Sequence, residues 1–85
     1  MVPRRKRLVF RSWHRGSREM DLILGPFADR HVPLFTDRQL ALYETLLEEQ
    51  DPVLYDWILG RVPVPPRLQH DVMDLLRSFS ASAVP

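Results

Sequence analysis

The sequence predicts an all-α fold, a small single-domain bundle of about five helices. Along the 85 residues, the apolar side chains of each cluster recur three and four positions apart, the spacing that places them on one face of a helix. The clusters are separated by residues that stop or start helices: Gly16-Ser17, Pro33, Asp51-Pro52 and Gly60. No stretch alternates apolar and polar residues as a half-buried strand does. A chain of this length makes one core and leaves no room for separate substrate and cofactor domains. It has no cysteine, so its stability must come from helix packing or from a partner.

The first helix is expected from Pro3 to about His14. Leu8, Val9 and Trp13 form its inner side, Phe10 lies beside them, and its polar side is almost wholly basic. Four consecutive basic residues repel one another and the positive end of the helix dipole, so the first turn is expected to fray; Arg11, His14 and Arg15 suit the negative end. A corner follows at Arg15-Gly16-Ser17-Arg18-Glu19, with Gly16 in a left-handed conformation and Ser17 as the cap of the next helix. Three strong charges crowd this turn, which is expected to be exposed.

In the second helix Met20, Ile23, Leu24 and Phe27 share a face that Leu22 and Ala28 widen. Gly25-Pro26 is a local weakness that could kink or divide it, and Pro33 ends it. Thr36 and Gln39 form a capping-box signature for a third helix, with Leu40, Tyr43, Leu46 and Leu47 inward, ending near Gln50. Asp51 as N-cap and Pro52 at the first helical position open a short fourth helix with Leu54, Trp57 and Ile58 inward, closed by Gly60. Arg61 to Pro66 carries three prolines and reads as an extended connector. Leu68, Val72, Leu75, Leu76 and Phe79 mark a fifth helix, and Ser80 to Pro85 is expected to be a mobile tail, so the core spans about residues 6 to 79.

The net charge of +1 hides an uneven distribution. Residues 1 to 18 hold seven basic side chains and no acid, whereas residues 19 to 85 hold five basic residues against eleven acids, a net −6. The result is a basic end on an acidic body, which orients encounters with a charged partner. The basic helix with Phe10 and Trp13 also admits a second reading, a small nucleic-acid-binding module, because cations neutralise phosphates and aromatic rings stack on bases. The acidic body would repel a nucleic acid that extended past the first helix, so protein binding is preferred.

Enzymatic chemistry finds little support. His14, His31 and His70 fall in three different elements without metal-ligand spacing and read as surface histidines. Most acids fall on outward helical faces, and three scattered glycines form no phosphate loop. No apolar run approaches the roughly 20 residues that span a bilayer, and the basic start lacks the apolar segment of a secretory signal, so a soluble cytoplasmic protein without membrane insertion is expected.

The ordered set Arg15-Gly16-x-x-Glu19, Met20-Asp21 and Pro26-Phe27 resembles the succinate dehydrogenase assembly factor family, whose members are also called flavinylation factors. The likeness continues through Leu46-Leu47-Glu48, Asp51-Pro52, Leu54-Tyr55 and Asp56-Trp57-Ile58 and weakens after Gly60, covering about residues 6 to 60. The resemblance implies a small helical bundle that binds the flavoprotein subunit of succinate dehydrogenase, and in some bacteria fumarate reductase. It implies promotion of covalent FAD attachment by a chaperone-like factor that is not itself an enzyme and has no cofactor of its own. Attachment joins the client's own histidine to the flavin, so such a factor helps by holding the two in geometry.

It further implies that Arg15, Gly16 and Glu19 form the surface facing the client's flavin site, with Arg18 and Asp21 beside it. His14 stands where many relatives have a second arginine, which makes the charge there sensitive to pH near neutrality. With Arg11, it joins the candidate partner-binding set from the end of the basic helix.

Overall fold

The computed structural model describes residues 3–83, with side chains through residue 82. Five α-helices follow in order: α1 (Arg4–Trp13), α2 (Arg18–His31), α3 (Asp37–Leu47), α4 (Asp51–Ile58) and α5 (Asp71–Ala83). Two short 3-10 turns, Val32–Leu34 and Pro66–Leu68, stand before α3 and α5. Among the described residues there is no strand, as the helical spacing predicts.

α1 and α2 form an antiparallel hairpin whose closeness depends on Gly25. A Cβ at that position would overlap the indole ring of Trp13, so the glycine is where one helix lies on the other. α2 runs through Gly25-Pro26 as one helix of 14 residues and is not divided there. The buried stripe of α1 is Leu8 and Ser12, with Val9 and Trp13 half-buried beside it. Ser12 was not an evident core residue, because a hydroxyl belongs inside only when paired. Its Oγ donates to the Leu8 carbonyl at 2.8 Å and lies 2.6 Å from the Tyr43 hydroxyl. Burial pushes the Tyr43 phenol up to about 12, so it stays protonated and ties α1 to α3.

The expected fraying of the first turn gives way to two anchors: Arg4 is hydrogen-bonded to Glu44 of α3, and Arg5 donates to the Val32 carbonyl at 2.6 Å. At the heart of the bundle, Phe27 meets Tyr43, Phe35 and Phe79 at centroid distances of 5.6, 6.1 and 5.7 Å. His31 stacks on Phe27 at 4.8 Å, so it belongs to the edge of the core and is not a surface histidine. His70 departs from that expectation too, since its Nδ1 accepts from the Met73 N–H at 3.1 Å and caps α5.

The capping box of α3 forms as expected, with Gln39 N–H on Thr36 Oγ1 at 3.2 Å and Thr36 N–H on Gln39 Oε1 at 3.0 Å. The helix stops at Leu47, three residues before the expected end, and its last turn tightens through bonds from Glu48 N–H to Thr45 and from Glu49 N–H to Leu46. Gln50, not Asp51, occupies the N-cap position of α4, while Asp51 is the first helical residue and its carboxylate is engaged elsewhere. Gly60, at φ +73°, closes α4 in a Schellman motif: Arg61 N–H bonds the Asp56 carbonyl and Gly60 N–H that of Trp57.

Trp57 is buried as expected. The proline-rich connector is more than a spacer, because Val64 inserts into the core; Leu68, expected in the fifth helix, is buried too but stands in the 3-10 turn before α5. α5 buries Val72, Met73, Leu76 and Ser80 and leaves Leu75 and Phe79 half-buried. The segment from Ser80 to Ala83 is therefore helical, with Ser80 inside, where a mobile tail was expected; residues 84–85 lie outside the described residues. No helix among the described residues is long and apolar enough to cross a membrane.

Candidate functional site

The corner between α1 and α2 is built as its residues dictate. Gly16 adopts φ +96°, which only glycine enters without strain, and Ser17 accepts from the Met20 N–H at 3.2 Å to start α2. Glu19 and Asp21 follow in the first turn, where unsatisfied amides favour negative charge.

The unexpected part is Arg15. Its side chain is only 11% exposed and points into the junction between α3 and α4, not outward. Nε donates to Asp51 Oδ1 at 2.8 Å, while the two terminal nitrogens donate to the carbonyls of Leu47 and Glu49. Its own N–H donates to Asp21 Oδ1 at 2.7 Å. One residue thus joins the corner, the start of α2, the end of α3 and the beginning of α4. The Leu47 carbonyl is one that a helix end leaves unsatisfied and the Glu49 carbonyl belongs to the turn that follows, and a guanidinium meets both with one rigid fork.

The other predicted residues divide by side. Gly16, Arg18 and Glu19 are exposed, and a Cβ built on Gly16 meets no atom within 4 Å. Among the described residues neither Arg18 nor Glu19 has a hydrogen-bond or ion-pair partner within the fold. Asp21 is half-buried and occupied by the Arg15 amide. His14 is exposed and stacks on Phe10 at 4.0 Å, and Arg11 pairs with Glu48 at 3.3 Å. The structure thus brings Gly16, Arg18 and Glu19 together outside, and Arg15 and Asp21 together inside.

The basic helix is less free than its composition suggests. Arg4, Arg5, Arg11 and Arg15 all turn onto the rest of the molecule, leaving Lys6, Arg7 and Arg18 to face solvent. The Arg4 hydrogen bond holds the Glu44 carboxyl below its ordinary range, reinforced by the charges of Arg4, Arg11 and Arg7 and opposed by desolvation. Among the described residues no group of histidines and carboxylates could hold a metal ion.

Beside the corner lies a small open hollow of about 170 Å³, lined by Ser17, Glu19, Met20, Asp51, Pro52 and Tyr55. The sequence marks Asp51-Pro52 as a helix start and as part of the family likeness, but not as a border of the corner. The signal available was the position of two helix starts in one small bundle; the carbonyls of Leu47 and Glu49 carry none.

A corner fixed from within by a four-way tie, with Gly16, Arg18 and Glu19 exposed on its outer side, defines a small all-helical domain built around a braced helix corner. The chain matches the family described as flavinator of succinate dehydrogenase over residues 6–80, and it belongs to that family. The match runs past Gly60, where the likeness read from motifs faded, through the connector and most of α5.

Among similar proteins, the FAD assembly factor SdhE of Acetobacter pasteurianus is 42% identical over 65 residues, which cover 76% of this chain and 60% of that protein. The mitochondrial succinate dehydrogenase assembly factor 2 of Dictyostelium discoideum is 38% identical over 73 residues, covering 86% and 52%. That of Danio rerio is 34% identical over 79 residues, covering 91% and 50%. The chain thus spans between half and three fifths of the length of these curated relatives.

Proposed function

We propose that this chain is an assembly factor that binds the flavoprotein subunit of succinate dehydrogenase and promotes covalent attachment of FAD to it. The reading is carried by one coincidence: family membership over residues 6–80 includes a corner made rigid from inside by Arg15 and left open outside at Gly16, Arg18 and Glu19. The names of the relatives, FAD assembly factor and succinate dehydrogenase assembly factor, support the choice of client.

The factor acts by holding its client, not as an enzyme. Arg18 and Glu19 stand on open surface, where water screens them, and such groups dock a partner more effectively than they drive proton transfer. Fixing mobile parts of a client in a reactive geometry is by itself a large effect on rate. FAD is the client's cofactor. The hollow beside the corner, at about 170 Å³, falls below the roughly 300 Å³ at which small-molecule sites begin and does not fit a dinucleotide. The nucleic-acid reading is weakened because four of the seven basic residues of the N-terminal stretch are bonded within the fold. We place the factor in the cytoplasm, a setting that the likeness to a bacterial relative supports.

In cells lacking the factor, the denatured flavoprotein subunit should show little in-gel flavin fluorescence, and this chain supplied from a plasmid should restore it. The fumarate reductase flavoprotein run beside it tests a second client. Full fluorescence without the factor refutes the proposal.

A further inference from the structure

We propose that the hollow beside the corner receives one basic side chain, with the geometry of arginine, from the client flavoprotein subunit. The inference rests on the client proposed above and assigns the chemistry of the contact.

The size comes first. About 170 Å³ suits one long side chain and is too small for a folded cofactor or a helix. The walls set the second condition. Pro52 and Tyr55 offer apolar surface over a floor closed by the buried Met20, so the occupant needs a hydrocarbon stem. The rim sets the third. Glu19 has no partner within the fold among the described residues, and Asp51 shares only Oδ1 with Arg15.

A purely apolar occupant would strip water from Glu19 and leave its carboxylate unpaired, and an acidic occupant would meet two carboxylates, so both are disfavoured. A cation on an aliphatic stem satisfies stem and rim together. Arginine fits better than lysine because its planar fork pairs with a carboxylate in two places and stacks on an aromatic face. Tyr55 already takes part in such a contact: the Arg61 guanidinium lies 5.5 Å from its ring centroid.

The test uses the whole chain and the purified flavoprotein subunit. A photoreactive benzoylphenylalanine replaces Pro52, which is exposed, and the crosslinked client peptide is read by mass spectrometry. The expected peptide contains an arginine or lysine at the crosslink. Reversing that client residue to glutamate should weaken binding of the unmodified chain at least tenfold, and Glu19→Arg should restore most of it.

A crosslinked peptide without a basic residue, an intact complex with no crosslink from position 52, or a charge reversal that Glu19→Arg does not rescue each overturns the inference while leaving the client assignment standing. Failure of the unmodified chain to form any complex overturns the client assignment and the inference with it. Thermal unfolding of Glu19→Arg alone, unchanged within a few degrees, shows that the rescue reports on binding.

Discussion

Replacing Arg15 by alanine removes the guanidinium that bonds Asp51 and the carbonyls of Leu47 and Glu49. A hydrogen bond to a charged group contributes about 1.5–3 kcal/mol, and breaking a buried ion pair from one side costs about 3–5 kcal/mol. Arg15 and Asp51 are 11% and 18% exposed, so water can re-enter and satisfy part of what is left. The net loss should be about 2–4 kcal/mol. A domain of 85 residues has roughly 4–13 kcal/mol in total, so the variant folds but is weakened. At about 4–8 °C per kcal/mol for a domain of this size, Tm should fall by roughly 10–30 °C.

By contrast Glu19→Ala removes one first-turn charge, worth about 0.3–1 kcal/mol. The two variants therefore separate a positioning role from a contact role. Both should reduce covalent flavin on the client, but Arg15→Ala should do so in proportion to lost folded protein, and Glu19→Ala at normal abundance. Thermal circular dichroism with in-gel flavin fluorescence at matched protein levels measures both. A Tm change below about 5 °C for Arg15→Ala would refute the clasp as an energetic tie.

Gly16→Arg should be accommodated sterically, since nothing lies within 4 Å of its Cβ, but its φ of +96° adds about 1–2 kcal/mol of strain. Gly16→Ala should share that stability loss yet lose less covalent flavin, as read in the same gel. Gly25→Ala forces Trp13 off α2 and should cost about 1–3 kcal/mol, followed by thermal unfolding and Trp13 fluorescence.

Acid should destabilise the fold in two windows. Burial, then the nearby Arg30, holds His31 below its ordinary value of 6.5, so its contribution is present above that value and is lost as pH falls through the lowered one. Glu44 is held below 4.5, so its contribution disappears at lower pH still, and Glu44→Gln should flatten that second decline in urea titrations from pH 7 to 3. Client binding should weaken with salt if Lys6, Arg7 and Arg18 steer the encounter, measured as Kd against ionic strength.

The elements that were readable share a physical reason: their signals are local. The Thr36–Gln39 box, the Ser17 cap and the two left-handed glycines each depend on a few consecutive residues, and each formed. What the sequence left unread or misread arises where distant parts of the chain decide. Ser12 is buried because Tyr43, 31 residues away, supplies its partner. Gly25 is not a weak point because Trp13 lies where its side chain would be. α5 continues to Ala83 and places Ser80, polar by composition, in the core.

At the site the same division decides what each motif residue does. A motif written along the chain groups Arg15, Gly16 and Glu19 as neighbours and suggests one contact surface. Sequence adjacency says nothing about direction, and the Gly16 turn sends its flanking residues to opposite sides: Arg15 inward to carbonyls that no residue type encodes, Glu19 outward to solvent. The inward half explains why a surface function needs a buried arginine. A docking corner that moved on its own would have to be ordered when its partner binds, and that ordering opposes affinity; holding it from α3 and α4 removes the cost before encounter. The spacing of the motif then follows from geometry, with Arg15 to tie the corner, Gly16 to turn it and Glu19, after the cap, to face the solvent side where the proposed client contact lies.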